Sequence, residues 1–393
     1  MNTACCLTSG LRAVAYDSVS ARKPFSVRAM QVATPNLSPF AASARVQPPE
    51  CKTRRALYNS LEVSGGMAKS TDLSHHECEI LEKGLEAAEA ALAWERCKKN
   101  PGHAEFIPVQ EFLASHLPSS LTGGDRARLS MIVDRTVRLR VHCTSRDRPD
   151  GDCLSQYRGS DRLRLGTGFI YYMNDPKCNQ PCPCRECGGN VAKKFWTFSV
   201  ITACHVVYNT EEAKETKVDL FYDDENCEQD GRMKTVWAVE VKWAESDNDL
   251  CVIFCVTHDE MLGERIRCLI EQWNSGHSQT ESEGTSVPSL DFGDKAALVV
   301  SHPHGQPKKI SVGKISLVTD SCVDEFGCEY LAATCPGSSG APVIEIRTVD
   351  EPRVLPMWGA QVHCGTYVNA DSEFGPYFNF SNFLYRPLLT NAC

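Results

Sequence analysis

Residues 334–342 have the composition of a turn that presents a nucleophile. They read Thr-Cys-Pro-Gly-Ser-Ser-Gly-Ala-Pro, with Ser339 near the centre, one glycine two positions before it and another directly after it. Small neighbours of this kind allow a tight turn and the close approach of a substrate carbonyl. The backbone N–H groups of Gly337 and Ser339 would then point to one spot and form an oxyanion hole. The stretch therefore predicts nucleophilic attack on a carbonyl carbon.

A serine hydroxyl is a weak nucleophile until a base removes its proton, so Ser339 requires a histidine and an acid elsewhere in the chain. His205 follows the β-rich run Ser-Val-Ile-Thr-Ala-Cys over residues 199–204. Asp249 directly precedes an apolar run that begins at Leu250. We expect His205 to be the general base, and Asp249 to orient its ring and stabilise its cation. Asp247 is the competing candidate for the acid.

The order His, Asp, Ser, together with the motifs Thr-Ala-x-His, Asp-Leu-x-Val and Gly-x-Ser-Gly-x-Pro, resembles the trypsin/chymotrypsin-like serine peptidases. The Pro-Gly-x-Ser-Gly turn is similar to that of the high-temperature-requirement proteases and the bacterial glutamyl endopeptidases. The resemblance covers about residues 130–390. It implies a mainly β fold with two six-stranded antiparallel β-barrels of the chymotrypsin type, and a triad of His205, Asp249 and Ser339 in the cleft. Digestive zymogens of this class carry an Asp at the position of Ser338, so activation through that ion pair is not expected.

The same resemblance implies a specificity pocket. Glutamyl endopeptidases place a Thr five residues before the nucleophile and a His beyond the elbow, and the two bind the P1 carboxylate. Thr334 and His363 stand at these positions, and Gly365 follows in the same segment. An imidazole N–H and a hydroxyl can both pair with a carboxylate or amide oxygen, which predicts Glu or Gln at P1. Residues 364–366 would pair with the substrate as an added strand; the alternative is that His363 is an ordinary strand residue.

Four closely spaced cysteines precede the strand that carries His205. They are Cys178, Cys182, Cys184 and Cys187. Four thiolates complete the tetrahedral coordination of a structural zinc ion, which would stiffen this hairpin. The chemistry at Ser339 itself requires no cofactor. Local disulfides and reduced thiols are the alternatives, because the spacing is tighter than the two separated pairs of most zinc sites.

The hydrophobic pattern predicts the elements that position these residues. From residue 131 onward, short runs of β-prone residues alternate with turn residues, which is typical of packed β-barrels. The predicted strands of the first barrel are 136–141, 162–171, 194–202, 218–222, 237–243 and 250–256. Those of the second barrel are 296–301, 310–318, 330–333, 341–346, 354–362 and 377–380. Between the first two predicted strands of the second barrel, His302 and His304 resemble a metal-binding pair by residue type. Pro303 and Gly305 favour a turn at this place instead.

The chain divides into three predicted regions. Residues 1–70 are rich in Ala, Ser and Pro, which predicts a disordered tail. Residues 71–128 form a helical region, with one helix from Leu73 to Lys99 and a second from Phe106 to Leu117. The protease domain spans residues 129–393, with the first barrel at 129–270, a linker at 271–290 and the second barrel at 291–393. The helices would dock on the protease or bind a partner.

Composition restricts the remaining possibilities. The chain has 393 residues, a net charge of -9 and no dense basic tract, so we expect no nucleic-acid partner. No apolar run approaches the roughly 20 residues of a membrane span. The 21 cysteines occur without a clear signal peptide, which favours reduced thiols in an intracellular, cytoplasmic protein. A secreted, disulfide-rich protein is the alternative.

Two functions remain open at this level. The first is a serine endopeptidase that hydrolyses proteins or peptides. The second is a catalytically silent module that keeps the cleft to bind peptides. The complete set of His205, Asp249 and Ser339 favours the first, whereas the oligomeric state stays open.

Overall fold

The computed structural model describes residues 75–82, 86–117, 121–275, 295–319, 327–347, 353–356, 361–368 and 377–383. The predicted tail lies outside these ranges, as does most of the predicted linker. Within the described ranges, no helix is long and apolar enough to cross a lipid bilayer.

The chain is mainly β, and its elements are numbered here in chain order. The strands are β1 (His75–His76), β2 (Glu79–Ile80), β3 (Ile107–Pro108), β4 (Thr136–Val141), β5 (Arg164–Met173), β6 (Lys177–Pro181), β7 (Val191–Ala203), β8 (Thr216–Leu220), β9 (Lys234–Glu245), β10 (Leu250–Thr257), β11 (Lys295–Ser301), β12 (Lys309–Thr319), β13 (Gly327–Tyr330), β14 (Val343–Arg347), β15 (Arg353–Pro356), β16 (Gln361–Val368) and β17 (Tyr377–Phe383). The α-helices are α1 (Glu86–Glu95), α2 (Val109–Ser115), α3 (Gly123–Arg135), α4 (Thr210–Lys214) and α5 (Glu260–Ser275).

The first barrel is closed and antiparallel. Its strands pair in the order β5, β4, β8, β9, β10, β7, and β7 pairs back to β5. Every second side chain of a strand points inward, so Val137, Leu139 and Val141 of β4 are all fully buried. The predicted six-stranded first barrel is confirmed.

The second barrel follows the order β16, β17, β13, β12, β11, β14. A bridge between Pro342 and Val362 brings the start of β14 beside β16. The sequence predicted one strand over 354–362. The structure instead has two strands there: β15 pairs with β14 at one end of the strand order, and β16 lies near the other end. The predicted fold class, mainly β and of the chymotrypsin type, is confirmed.

Helices α2 and α3 pack against the second barrel. Phe112 and Leu129 are fully buried in one cluster with Leu298 and Ile344. Helix α3 begins with a capping box, in which Thr122 and Asp125 exchange side-chain-to-backbone hydrogen bonds. Burial of an apolar face against the barrel supports the predicted packing role of α2, whereas α3 was not predicted and extends to Arg135, beyond the expected start of the β pattern at residue 131.

The predicted helix from Leu73 to Lys99 is wrong at its start. Residues 75–80 are extended, and α1 begins only at Glu86. The reason is tertiary: β1 pairs with β16, and β2 pairs with β5. These sheet edges supply the backbone hydrogen bonds that a helix would otherwise have provided. The sequence also did not predict α5, which extends into the region predicted as the linker.

Candidate active site

His205 and Asp249 lie side by side at the ends of two neighbouring strands. Nδ1 of His205 is 2.6 Å from Oδ2 of Asp249, and the backbone N–H of His205 donates to Oδ1 at 2.8 Å. Because an ionised carboxylate only accepts, Nδ1 carries the proton and donates it. Nε2 is buried and has no hydrogen-bond partner among the described residues. Nε2 is therefore the atom that is available to take a proton.

The register of β7 and β10 explains this contact. Ala203 pairs with Leu250, so the turns that follow β7 and precede β10 meet at one edge of the barrel. Asp249 itself has a φ of 51°, a left-handed conformation that Asp tolerates better than most residues. The rival acid, Asp247, is exposed, and the structure brings Asp249 and not Asp247 to His205.

A buried ion network supports the loop that carries His205. Arg148 donates to the carboxylate of Glu212 and to the carbonyl oxygen of His205, at 3.0 Å for the latter. Arg164 donates to Glu212 as well, and to the carbonyl oxygen of Val206 at 2.9 Å. Arg164 of β5 and Arg148 of the loop after β4 thus both hold the backbone around the histidine.

Ser339 lies in a tight elbow between the barrels. Gly337 has a φ of 96°, and a Cβ at this position would lie 2.6 Å from the carbonyl oxygen of His302, so only glycine fits. Thr167 of β5 fixes the turn from the first barrel: its N–H donates to the carbonyl oxygen of Ser339, and its hydroxyl donates to that of Gly337, both at 2.8 Å. The hydroxyl of Ser338 donates a hydrogen bond to the hydroxyl of Ser301. Ser338 is therefore engaged in the structure of the elbow and is not a candidate nucleophile.

A segment of the chain's own N-terminal region occupies the cleft at Ser339. His75 and His76 pair antiparallel with Thr366 and Gly365 of β16. The next residue, Glu77, donates its N–H to Oγ of Ser339 at 3.1 Å. Its carbonyl oxygen accepts from the N–H of Gly337 at 2.7 Å, the group predicted as an oxyanion donor.

The side chain of Glu77 fills a pocket in the second barrel. One carboxylate oxygen accepts from Nε2 of His363 at 2.7 Å, and the other accepts from Nζ of Lys99 at 2.5 Å. With Nε2 donating, Nδ1 of the neutral His363 ring accepts from the hydroxyl of Tyr330 at 2.7 Å. Lys99 also donates to the hydroxyl of Thr334 at 2.8 Å.

Of the predicted pocket residues, His363 touches the Glu77 carboxylate, Thr334 reaches it through Lys99, and Gly365 pairs with the backbone of His76. Lys99 had been assigned only to the end of a predicted helix. No local pattern indicates that it crosses to a pocket that is built more than 230 residues later.

Burial and charge set the ionisation of these groups. Burial opposes ionisation of Glu77, but Lys99 and His363 together hold its pKa well below the ordinary value. Burial lowers the pKa of His205 to about 4, although Asp249 acts in the opposite direction. Burial likewise opposes ionisation of Asp249, yet its contacts with His205 hold the pKa of this carboxyl below its ordinary value. At neutral pH the site therefore holds a neutral imidazole on an ionised aspartate.

The hairpin before β7 gathers a set of metal-binding side chains. Nε2 of His258 lies 3.4 Å from Sγ of Cys182 and 3.5 Å from Sγ of both Cys184 and Cys187. Cys178 is exposed on β6 and is not part of this group, so His258 stands where the sequence suggested Cys178. The signal was not local, because His258 follows β10 and reaches the hairpin only through the pairing of β10 with β7.

Together, the double barrel, the His205–Asp249 pair and the serine elbow have the arrangement of the trypsin-like fold. Residues 188–348 match the family model of the trypsin-like peptidase domain. This segment, about two fifths of the chain, is thus similar to a trypsin-like peptidase domain. No curated protein is similar enough to the chain to count as a match.

Solved structures with detectable similarity include the HtrA-type protease AlgW with a tripeptide, at 13% identity and a TM-score of 0.32, covering 67% of this chain and 60% of that one. Another is Rv3671c from M. tuberculosis H37Rv in an inactive form, at 13% identity and a TM-score of 0.30, covering 67% of this chain and 87% of that one. The chain therefore spans about three fifths of the length of AlgW. The assignment rests on the family model and not on these structures.

Proposed function

We propose that the protein is an endopeptidase that cleaves peptide bonds after glutamate, with His205, Asp249 and Ser339 as its triad. The observation that carries this proposal is the position of Glu77. Its carbonyl oxygen lies on the N–H of Gly337, and its carboxylate lies between His363 and Lys99. A substrate glutamate in the same position would present its carbonyl carbon to Ser339.

The proposed reaction follows the acyl-enzyme route. Nε2 of His205 takes the proton of the Ser339 hydroxyl while Oγ attacks the carbonyl carbon, and Asp249 stabilises the imidazolium that forms. The N–H groups of Gly337 and Ser339 stabilise the oxyanion, and the contact of the Gly337 N–H with a carbonyl oxygen supports the first of these roles. His205 then returns the proton to the leaving amine, and water hydrolyses the acyl-enzyme.

The pocket favours Glu over Gln among the two predicted P1 residues. Lys99 is largely buried and brings a positive charge to the carboxylate. A neutral amide at this position would leave that buried charge without an ionic partner, which is unfavourable. His363 donates a hydrogen bond to either side chain, so Lys99 is the group that discriminates between them.

We further propose a structural zinc ion in the hairpin, bound by Cys182, Cys184, Cys187 and His258. Nδ1 of His258 faces the carbonyl oxygen of Lys194 at 3.1 Å, which leaves the lone pair of Nε2 for a metal. Four protein ligands leave no open position for water, so such an ion would stabilise the hairpin and take no part in catalysis.

The proposed substrate is a protein or peptide. An intracellular location is supported by the free thiols of the described cysteines.

The test combines labelling with a substrate library. The full chain, its Ser339→Ala variant and its Glu77→Lys variant are treated with a fluorophosphonate probe and then with peptides varied at P1. The ammonium group that Glu77→Lys introduces would be repelled by Lys99, so this variant is expected to leave the cleft open. We expect Ser339-dependent labelling and cleavage after Glu. Absence of labelling in both the wild-type and Glu77→Lys chains would instead favour a silent peptide-binding module.

A further inference from the structure

The N-terminal segment crosses the cleft as an extended strand that contacts both barrels. On the side before Glu77, β1 extends the sheet of the second barrel at β16. On the side after it, β2 pairs with β5 of the first barrel, with Glu79 opposite Leu165. The ring of His76 lies against that of His205, with centroids 4.2 Å apart. The peptide bond between Glu77 and Cys78 is thus held from both sides at the proposed triad.

We propose that the Glu77–Cys78 bond is a substrate of the chain's own active site, so that the protein cleaves itself there. This inference rests on the proposed function and adds its first substrate. Three contacts align the residue before the bond: N–H to Ser339, carbonyl oxygen to Gly337 and carboxylate to His363. An extended strand with its carbonyl on an oxyanion donor is the binding mode of a substrate.

The proposed step is balanced by one water molecule. Oγ of Ser339 forms an ester with the carbonyl carbon of Glu77, and the C–N bond to Cys78 breaks. His205 carries the serine proton to the amino group of Cys78. Water then hydrolyses the ester, which leaves a new carboxylate on Glu77, a new amine on Cys78 and a free Ser339.

Lys99 follows the cut in the sequence and therefore remains part of the protease. After cleavage, residues 1–77 are no longer joined to the strand β2. Their release would leave His363, Thr334 and Lys99 in the pocket, ready for a glutamate from another protein. The N-terminal segment around Glu77 thus blocks the cleft until the chain has cleaved the Glu77–Cys78 bond.

The experiment follows the intact mass of the full chain over time, in the wild type and in three variants. Ser339→Ala removes the nucleophile, Glu77→Lys removes the side chain that fits the pocket, and Glu82→Lys changes an exposed acid of the same region as a matched control. We expect fragments that end at Glu77 and begin at Cys78 in the wild type and in Glu82→Lys. We expect no cleavage in Ser339→Ala, and a rate at least about 100-fold lower in Glu77→Lys.

Concentration separates self-cleavage within one chain from cleavage between chains. The half-time in the wild type should not change with protein concentration. A half-time that shortens with concentration would overturn the intramolecular step, as would cleavage at another bond. An intact wild-type chain, alongside a Glu77→Lys chain that cuts Glu peptides, would overturn self-cleavage but preserve the proposed function. If neither chain cuts any peptide, the proposed function fails with it.

A second observation concerns a group of metal-binding side chains behind the elbow. The ligand atoms of Cys97, His103, His304 and Cys335 all lie within 4.8 Å of one another, and the two sulfurs are 3.5 Å apart. Tetrahedral zinc with Zn–S bonds of about 2.3 Å and Zn–N bonds of about 2.0 Å holds its ligands roughly 3.3 to 3.8 Å apart. His103, His304 and Cys335 are buried, and Cys97 is partly buried.

The two histidines have features that packing alone does not explain. Nε2 of His103 and Nε2 of His304 are both buried without a hydrogen-bond partner in the described part of the chain. Buried polar atoms of this kind are rare because an unmade hydrogen bond is costly. Both residues also have a φ of 51°, and Nδ1 of His304 contacts Oε2 of Glu79 at 2.6 Å. A carboxylate on the far nitrogen is the usual support of a metal-binding histidine.

We infer that Cys97, His103, His304 and Cys335 bind a structural zinc ion. Two ligands come from the region before α2 and two from the second barrel, so the ion would fasten the N-terminal region to the protease. Cys335 lies two residues before Gly337, and the N–H of His304 donates to the carbonyl oxygen of Pro336. The ion would therefore also fix the loop that carries the oxyanion donor.

Zinc analysis of the full chain tests this site separately from the hairpin. Zinc per chain is measured in the wild type, in Cys97→Ser/His103→Gln and in the hairpin variant Cys184→Ser/Cys187→Ser, with circular dichroism to check folding. We expect each double variant to lose one equivalent relative to the wild type. Unchanged zinc content in folded Cys97→Ser/His103→Gln would overturn the inference.

A measurement on the wild type covers the case in which that variant does not fold. Alkylation of the thiols is followed by mass spectrometry with and without a chelator. Bound zinc should protect Cys97 and Cys335, and the chelator should expose Cys97 to the reagent. Equal alkylation of Cys97 under both conditions would contradict the site, as would a disulfide between Cys97 and Cys335.

Discussion

Charge in the pocket depends on one ammonium group. Lys99 contacts the carboxylate of Glu77 and the hydroxyls of Thr334 and Thr366, all in the second barrel's interior or at its edge. These polar oxygens keep the ammonium hydrogen-bonded, whereas only a carboxylate neutralises it. The geometry therefore argues for acid recognition by His363 and Lys99 acting together.

Replacing Lys99 should reduce selectivity for Glu. In Lys99→Met, cleavage of a Glu peptide loses an ionic partner, and truncating one partner of a buried charge pair costs about 2–5 kcal/mol. At about 1.4 kcal/mol per tenfold, kcat/KM for Glu should fall at least about 30-fold. For the matched Gln peptide it should change much less. Steady-state kinetics on the two peptides measure the ratio.

Lys98→Met is the control for this prediction, because Lys98 is exposed and carries the same charge on the neighbouring residue. Its Glu to Gln ratio should equal that of the wild type. An unchanged ratio in Lys99→Met would mean that His363 alone reads the P1 residue.

At the residue scale, the sequence predicted the candidate residues that lie within motifs, and two of them, His205 and Asp249, are in contact in the structure. His205 follows β7 closely, Asp249 directly precedes β10, and Ser339 lies in the turn before β14. Glu77 and Lys99 could not be predicted, because their partners in the second barrel lie more than 230 residues away along the chain and only the tertiary fold brings them together. A charge pattern that suits a helix was the local signal, and it was misleading.

Strands were predicted well because a period of two is a strong local signal of burial on one face. The helical interpretation of residues 75–80 failed because edge strands of both barrels pair with this backbone. Elements that depend on partners from other parts of the chain are thus the ones that a local pattern does not determine.

Helix α4 contributes to the site through Glu212, although it lies outside the cleft. Glu212 is fully buried between Arg148 and Arg164, which in turn hold the carbonyl oxygens of His205 and Val206. In Glu212→Gln, Arg164 loses its ion pair, and Arg148 keeps only its ion pair with Asp152. Breaking a buried ion pair in this way costs about 3–5 kcal/mol, and urea unfolding should measure a loss of that order.

Glu211→Gln is the matched control, since Glu211 is the exposed neighbour on the same helix. Its free energy of unfolding should change by less than about 0.5 kcal/mol.

Burial opposes ionisation of Glu212, but the two arginines hold its pKa below the ordinary value. The stabilisation is therefore present at neutral pH and is lost as the pH falls through the folded-state pKa. A Glu212→Gln variant as stable as the wild type would rule out the stabilising role of Glu212.

At the scale of the whole molecule, the N-terminal segment joins two barrels that otherwise meet at the cleft. It pairs with β16 on one side and with β5 on the other, and its central residue lies at Ser339. His76 of the same segment lies against the ring of His205. Occupancy of the cleft and ionisation of His205, the proposed general base, are therefore expected to be linked.

This linkage predicts two different pH profiles for one active site. With the segment in place, burial lowers the pKa of His205 to about 4; Asp249 raises it, and His76 and Arg148 lower it further. Since only the neutral ring accepts a proton, self-cleavage should persist down to about pH 4. Release of residues 1–77 exposes the ring, whose pKa should return toward its usual value of about 6.5. The acid limb of peptide hydrolysis by the processed protein should therefore lie roughly two pH units higher.

Single-turnover self-cleavage and steady-state kcat/KM, measured in the same buffers, give the two limbs. Coincident limbs would show that the segment does not control the base.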